Sequence, residues 1–412
     1  MISIRSITVG IALDGQSKLE LTSAISNFMS ISKTIYNQHD IQIRTTRLAL
    51  EPINLHPDFT SAFFRSTLDW ISAVCNNVGI RWFCVPFDCS ETEDSHIYSS
   101  IAYEAISRHQ NAFVNFIVAR DGKIGHSGVA AAANLISRVS TISNNGFDNF
   151  RVGVSCDCKP HTPFFPFSYH DGNNGFSVAL ETVDMFLNTI ESEIHNGIEA
   201  VQTTLLERLT DNLILIDKLG RDIERQTGMK FLGIDASLAP FPNGDTSVAK
   251  IVEKLGVEDF GANGSLFFTS FLTNIIKRAL FKSNIRYVGF NGVMYSLLED
   301  DYLAKRARQK NFNIDSLMLY STVCGCGIDM VPVPGDILEE EIAAMIMDVS
   351  SLAITLNKPL GVRILPIPGK KGNELTGFNY DFLVDTRIMN VRDKAYVSSM
   401  FNNKIFEYIT KQ

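Results

Sequence analysis

The sequence predicts a large α/β barrel of about ten strands, on three observations. Short β-rich runs alternate with helical stretches, the pattern of a mainly parallel sheet with helices outside it. No Ser/Gly/Pro-rich linker, repeat or low-complexity segment divides the chain, so residues 1–412 read as one domain. At 412 residues and 45% hydrophobic composition, the chain can bury one large core. An open doubly wound sheet with an insertion would give a similar pattern.

The expected strands, in order, are "ISIRSITVGI", "IQIRTTRLAL", "IRWFCVPF", "AFVNFIVAR", "FRVGVSC", "KFLGIDASL", "IRYVGF", "LMLYSTVC", "LGVRILPI" and "FNYDFLVD". Between the first two lies "KLELTSAISNFMSISKTIYNQ", where Leu19, Leu21, Ile25, Phe28 and Ile31 approximate one helical stripe. A longer helix is expected over Ser192 to Gln226, with Ile198, Val201, Leu205, Leu209 and Leu213 facing the core. Asp245 or Thr246 is the expected cap of a helix after "APFPNG".

Charge and composition narrow the function classes. The formal net charge is -8 and Lys and Arg are dispersed, which argues against nucleic acid as a partner. The basic cluster Lys305, Arg306, Arg308 and Lys310 follows "LEDD" and reads as a solvated helix face. The start "MISIRSITVGI" lacks a signal-peptide pattern, and no apolar run approaches the roughly 20 residues needed to cross a bilayer. A cytoplasmic location with no membrane partner is the expectation. Seven cysteines, an odd number, fit reduced thiols better than a disulfide framework.

Chemistry-bearing residues gather at the ends of expected strands, where loops share a mouth in barrels and doubly wound sheets. "KPHTPFFPFSYHDGNNGFSVALE" sets His170 in a stiff aromatic loop, as a general base or a satisfied structural histidine. "GIDASLAPFP" ends a strand at Asp235, a candidate metal ligand that could equally bond nearby amides. In "DFGANGSL", Gly261 and Gly264 would let backbone amides approach an anion, or simply open a helix. Glu299 of "LEDD" is a second candidate metal ligand, and Asp301 reads as a helix-dipole partner. "VCGCGIDMVPVPGD" offers Cys324 as a catalytic thiol beside Asp329, with Cys326 held loosely between glycines. The rival reading packs both cysteines as small hydrophobes, and a four-thiolate zinc site with Cys156 and Cys158 has atypical spacing. Arg363 and Lys370 of "VRILPIPGKKG" would neutralise an anionic group.

Taken in order, "IRSITVGI", "PFFPFSYHDG", "GIDASLAPFP", "VCGCGIDMVPVPGD" and "RILPIPGKKG" resemble the domain of unknown function 711 family, also called PFL family proteins. The resemblance runs through nearly the whole chain and implies a barrel similar to that of pyruvate formate-lyase-type enzymes. The positions matching its pattern are His170, Gly172, Asp235, Ser237, Pro240, Gly261, Gly264, Glu299, Asp300, Cys324, Gly327, Asp329, Asp336, Arg363 and Lys370. Cys326 and the "SCDC" pair depart from that pattern. The chain lacks the Arg-Val-x-Gly-Tyr type segment that houses a glycyl radical, so no glycyl radical is expected. The resemblance implies no particular reaction.

The functional expectation is an enzyme acting on a small anionic metabolite by non-radical acid/base or thiol chemistry, with a divalent metal as a candidate cofactor. His170, Cys324 and Asp329 are its expected catalytic residues. Gly261, Gly264, Arg363 and Lys370 are the expected substrate contacts, and Asp235 and Glu299 the expected metal ligands. The alternative is a non-catalytic metabolite-binding or regulatory protein on an enzyme-like barrel. A homo-oligomer is compatible with either.

Overall fold

The computed structural model describes residues 2–92, 95–242, 244, 246–392 and 405–407. Eleven strands form one sheet: β1 Ser3–Ile11, β2 Ile43–Leu50, β3 Trp82–Asp88, β4 Ala112–Arg120, β5 Lys123–Gly125, β6 Val152–Cys156, β7 Gly175–Glu181, β8 Lys230–Asp235, β9 Gly327–Pro334, β10 Leu360–Ile367 and β11 Ile405–Glu407. The main path runs β8-β7-β1-β2-β3-β4-β6-β10-β9, and β5 and β11 pair off it. β1, β2, β3, β4 and β6 are mutually parallel. β7 pairs antiparallel with β1, and β10 antiparallel with β6, so the flanking strands reverse direction.

The result is a large α/β barrel-like fold whose sheet does not close with a regular ladder. The outer strands β8 and β9 are instead linked through Tyr287–Ser296, by isolated bridges Ile234↔Tyr287, Leu238↔Val293 and Ser296↔Asp329. The expected strand "IRYVGF" is therefore an irregular connector. Gly289 at φ +80 is the cause: a Cβ there would sit 2.0 Å from Asp235 Oδ2, so the chain wraps around that carboxylate. "LMLYSTVC" is also not a strand but the helix Ile314–Ser321. Asn313 and Ser316 cap it reciprocally, and Leu317 and Tyr320, three apart, bury one face. "FNYDFLVD" folds as a tight loop, with the isolated bridge Tyr380↔Leu383.

The first expected helix is present as Lys18–Gln38, burying Leu21, Ile25 and Phe28 but leaving Leu19 exposed. The long helix starts later than expected, at Ile198, because Gly197 at φ +98 breaks the chain after Val183–Glu193. Ser247, not Thr246, caps the helix Val248–Lys254; Asp245 lies outside the described residues. Among the described residues, no helix is long and apolar enough to cross a membrane.

What positions the site is the segment after β6. Its residues 162–170 are all buried and run along the inner face of the sheet. Ser6, Thr8 and Arg47 side chains each donate to Pro163 O at 3.1 Å. Cys84 Sγ reaches Pro166 O at 3.3 Å, and Asn115 Nδ2 reaches Ser168 O. Inward-facing polar side chains of four strands thus satisfy a backbone that water does not reach. His161 N–H closes the base of this hairpin on Tyr169 O at 2.8 Å.

Candidate functional site

A cavity of about 330 Å³ opens on one end of the barrel. Phe164, Phe165 and Phe167 of the threaded segment line it, together with Arg5 of β1, Arg47 of β2, Asp329 of β9, Arg363 of β10, Glu299 and Cys326. Arg44, Arg81, Asp381 and Phe382 line it as well. Two β-bulges coincide with its charged lining. Against β7, β1 carries one extra residue between Ile4 and Ser6, which is Arg5. Against β10, β9 carries one extra residue between Ile328 and Val331, and Met330 there has φ 53. A bulge re-aims a side chain that plain alternation would send elsewhere, and here the re-aimed pair is Arg5 and Asp329.

The charges in the cavity divide into a satisfied set and an unsatisfied one. Arg363 holds Asp329 through two parallel bonds, Nε to Oδ1 at 2.7 Å and Nη2 to Oδ2 at 2.9 Å. The same Nη2 reaches Glu299 Oε2 at 3.3 Å, which also accepts from Ser296 Oγ at 2.5 Å. Burial acts to raise the Glu299 carboxyl, but the charges of Arg363 and Arg5 outweigh it and hold it below the ordinary carboxylate range. Glu299 is therefore an ionised carboxylate at neutral pH.

Arg5 and Arg47 are 7% and 8% exposed, and neither forms an ion pair among the described residues. Arg5 Nη1 donates to Pro240 O at 2.7 Å, and Arg47 Nη1 to Pro163 O. Arg47 Nε has no hydrogen-bond partner among the described residues. Burial, with Arg5 beside it, pulls the Arg47 guanidinium down to about 9. Aromatic faces back both cations: Phe165 lies 5.2 Å and Trp82 5.7 Å from Arg47, and Phe164 lies 6.0 Å from Arg5. Among the buried and part-buried lining groups, three guanidiniums (Arg5, Arg47, Arg363) against two carboxylates (Glu299, Asp329) leave one surplus positive charge, and exposed Arg44, Arg81 and Asp381 add to the lining at the rim.

Cys326, not Cys324, lines the cavity. Cys326 Sγ accepts from Tyr295 N–H at 3.2 Å, and Cys324 lies behind it, 2% exposed. Burial acts to raise the Cys324 thiol, but a hydrogen bond from Cys326 and the charge of Lys358 outweigh it and bring it to about 6. Cys326 retains the proton of that bond, and its thiol is raised well above the ordinary value. The two thiols thus share one proton, with Lys358 balancing the charge behind them while its ammonium bonds Ser321 O at 2.8 Å.

The family model described as Uncharacterised ACR (DUF711) matches residues 1–379. The chain belongs to the DUF711 family. A UPF0210 protein of Acetivibrio thermocellus is 25% identical over 400 residues, covering 92% of this chain and 88% of that protein. One from Clostridium beijerinckii is 23% identical over 419 residues, covering 96% and 92%. A UPF0210 protein of Pyrobaculum aerophilum is 30% identical over 293 residues, 63% of this chain. The matched stretch spans 64% of that relative, and about half (50% and 51%) of those from Pyrobaculum arsenaticum and Pyrobaculum islandicum.

In this DUF711 chain, the sequence-flagged residues fall in separate places. Glu299, Asp329 and Arg363 come together in the cavity. Asp235 does not line it: its oxygens accept from Ser237 N–H and Oγ, Phe290 N–H and Asn291 N–H, at 2.9, 2.6, 2.8 and 3.2 Å. That carboxylate organises the irregular connector. Gly261 approaches the Asn311 backbone, and Gly264 precedes the helix Ser265–Ser283, both away from the cavity lining. Lys370 Nζ bonds Leu375 O at 2.7 Å. Cys156 and Cys158 contact Ser350 Oγ and Leu360 O, and all seven cysteines are free and buried. Among the described residues, no three His, Cys, Asp or Glu side chains gather in a metal-holding group.

His170 packs against Gly10, where a Cβ would meet its ring at 2.0 Å. Gly10 lies five residues along β1 from Arg5, roughly 16 Å at the rise of a strand, so His170 belongs to the opposite end of the barrel. Its Nε2 lies 3.1 Å from Asn173 O and must carry the proton there, which leaves Nδ1 to accept from His161 Nδ1–H at 3.2 Å. Burial and the neighbouring His161 push His170 down to about 4. The unfolded chain therefore binds a proton below about pH 6.5 that the folded protein refuses. Stability present above that pH is lost as pH falls toward 4, by on the order of 3 kcal/mol for a shift of this size. Urea unfolding at pH 7 and 4.5 should show this loss, with a shallower pH slope in His170→Asn. An equally steep slope in the variant would assign the loss to other groups.

Proposed function

We propose that this chain is an enzyme that binds a small monoanionic metabolite in the arginine-lined cavity and moves a proton on it without radical chemistry. The observation that carries this reading is the pair Arg5 and Arg47, buried and without a carboxylate partner among the described residues. Burying an unpaired cation is costly, and an anionic ligand between the two offsets that cost while they orient it. Glu299, ionised and facing the same cavity, is the general base. Asp329 and Arg363 are positioning residues that fix it. Cys326 presents a protonated thiol to the cavity, and the Cys324 sulfur behind it accepts that thiol's hydrogen bond.

In the simplest such step, a C–H bond next to a carbonyl breaks, its electron pair delocalises into that carbonyl, and the proton goes to Glu299. Proton NMR of a panel of 2-oxo carboxylates in D₂O would report it as protein-dependent exchange. Glu299→Gln should lower the exchange rate by about 100-fold or more while leaving anion binding within a few-fold. Unchanged exchange in Glu299→Gln would remove its role as base. Anion binding with no exchange on any compound would favour the alternative, a barrel that binds a metabolite without transforming it.

A further inference from the structure

The cavity is chemically two-sided, and this bears on what kind of anion fits it. One side carries Arg5 and Arg47. From Trp82, under Arg47, an aromatic wall runs through Phe113 and Phe150 to Phe382, with Phe165, Phe147 and Tyr380 packed against it. Ring centroids are 5.3 Å apart for Trp82–Phe113, 4.9 Å for Phe113–Phe150 and 5.6 Å for Phe150–Phe382. Of these four, only Trp82 lies under a guanidinium; Phe113 packs at 5.4 Å on Phe165, which backs Arg47, and support of the cations does not account for Phe150 and Phe382. All four nonetheless line the cavity. An inorganic oxoanion or a short dicarboxylate would engage the arginines and leave the space beside that wall unfilled.

We infer that the ligand is a monocarboxylate with a planar aromatic body, its carboxylate between Arg5 and Arg47 and its ring against Phe113 and Phe150. This rests on the anion site proposed above and adds the substrate class. The cavity, about 330 Å³, lies at the small end of ligand pockets, which suits a single ring with a short side chain. Aromatic rings prefer offset or edge-to-face contact, and the tilted and perpendicular rings of this wall offer both, at 59° for Trp82–Phe113 and 84° for Phe113–Phe150. Phe382 stands at the mouth beside exposed Asp381, so the wall extends from the interior to solvent.

Titration calorimetry of the full chain with phenylacetate, acetate, inorganic phosphate and benzyl alcohol tests this. Phenylacetate should bind at least about tenfold tighter than acetate, the increment expected from burying a phenyl group, and benzyl alcohol should not bind measurably. Phe113→Leu and, at the half-exposed mouth, Phe382→Leu should each weaken phenylacetate several-fold and leave acetate unchanged. Acetate or phosphate binding as tightly as phenylacetate would overturn the aryl class while leaving the anion site standing. No binding of any anion would overturn both.

Discussion

Arg47→Met will abolish anion binding and leave the ligand-free protein as stable as the parent or more stable, by up to about 2 kcal/mol. Such a result is unusual, since most replacements of buried residues destabilise by 0.5–3 kcal/mol or so. The Arg47 guanidinium is 8% exposed, bonds one carbonyl, and leaves Nε without a hydrogen-bond partner among the described residues. Losing the bond to Pro163 O costs about 1 kcal/mol, but removing a desolvated cation that no carboxylate bonds, and that Glu299 offsets only at a distance, returns more. Methionine fills a similar volume between Trp82 and Phe165 and packs well on aromatic rings. Urea unfolding in buffer free of small organic anions, beside calorimetric titration, gives both quantities on the same samples. A strongly destabilised Arg47→Met protein would mean that the cation is structural.

Arg363→Met has the opposite signature and should destabilise the fold by about 3–5 kcal/mol at pH 7. Arg363 is 4% exposed and is the ion-pair partner of Asp329 and, through Nη2, of Glu299. Its removal leaves two carboxylates near each other with no cation bonded to either. Burial then disfavours the charged form of this carboxylate pair, so the variant should regain stability as pH falls. Asp329→Asn in the same background should restore part of the loss at pH 7. A cost below about 1 kcal/mol, or one independent of pH, would show that the pair is not the electrostatic brace described above. The contrast between the two arginines separates a cation that holds protein from one that awaits a ligand.

Part of this was legible in the residues. Alternating apolar runs identified most strands, because a strand buried on both faces needs continuous β-branched and aromatic residues. Asp329 and Arg363 stand out in the sequence because they lie near glycines and prolines, and Glu299 because it lies in an acidic run. Arg5 and Arg47 do not, because each lies inside an expected strand, "ISIRSITVGI" and "IQIRTTRLAL", while attention falls on strand ends. Arg5 turns inward at a bulge, which depends on the register with β7 and leaves no mark in local sequence. The available signal was an arginine within an otherwise apolar strand. Cys324 is better fixed than Cys326 only if "LMLYSTVC" is a strand. As a helix it leaves Cys324 behind the cavity wall and brings Cys326 to the surface of the cavity. His170 was flagged for its aromatic surroundings, but the segment that carries it crosses the barrel interior, placing its phenylalanines at the cavity and its histidines at the far end. No local pattern discloses which end of a threaded segment faces which mouth.

The claim on which the account depends is that Arg5 and Arg47 form an anion site, and bromide can locate such a site directly. Crystals of the parent and of Arg47→Met, soaked in bromide and measured at the bromine absorption edge, should differ by one anomalous peak. The account predicts that peak between the Arg5 and Arg47 guanidiniums in the parent and its absence in the variant. Bromide bound only at surface lysines and arginines, with the space between Arg5 and Arg47 holding none in the parent, would contradict it.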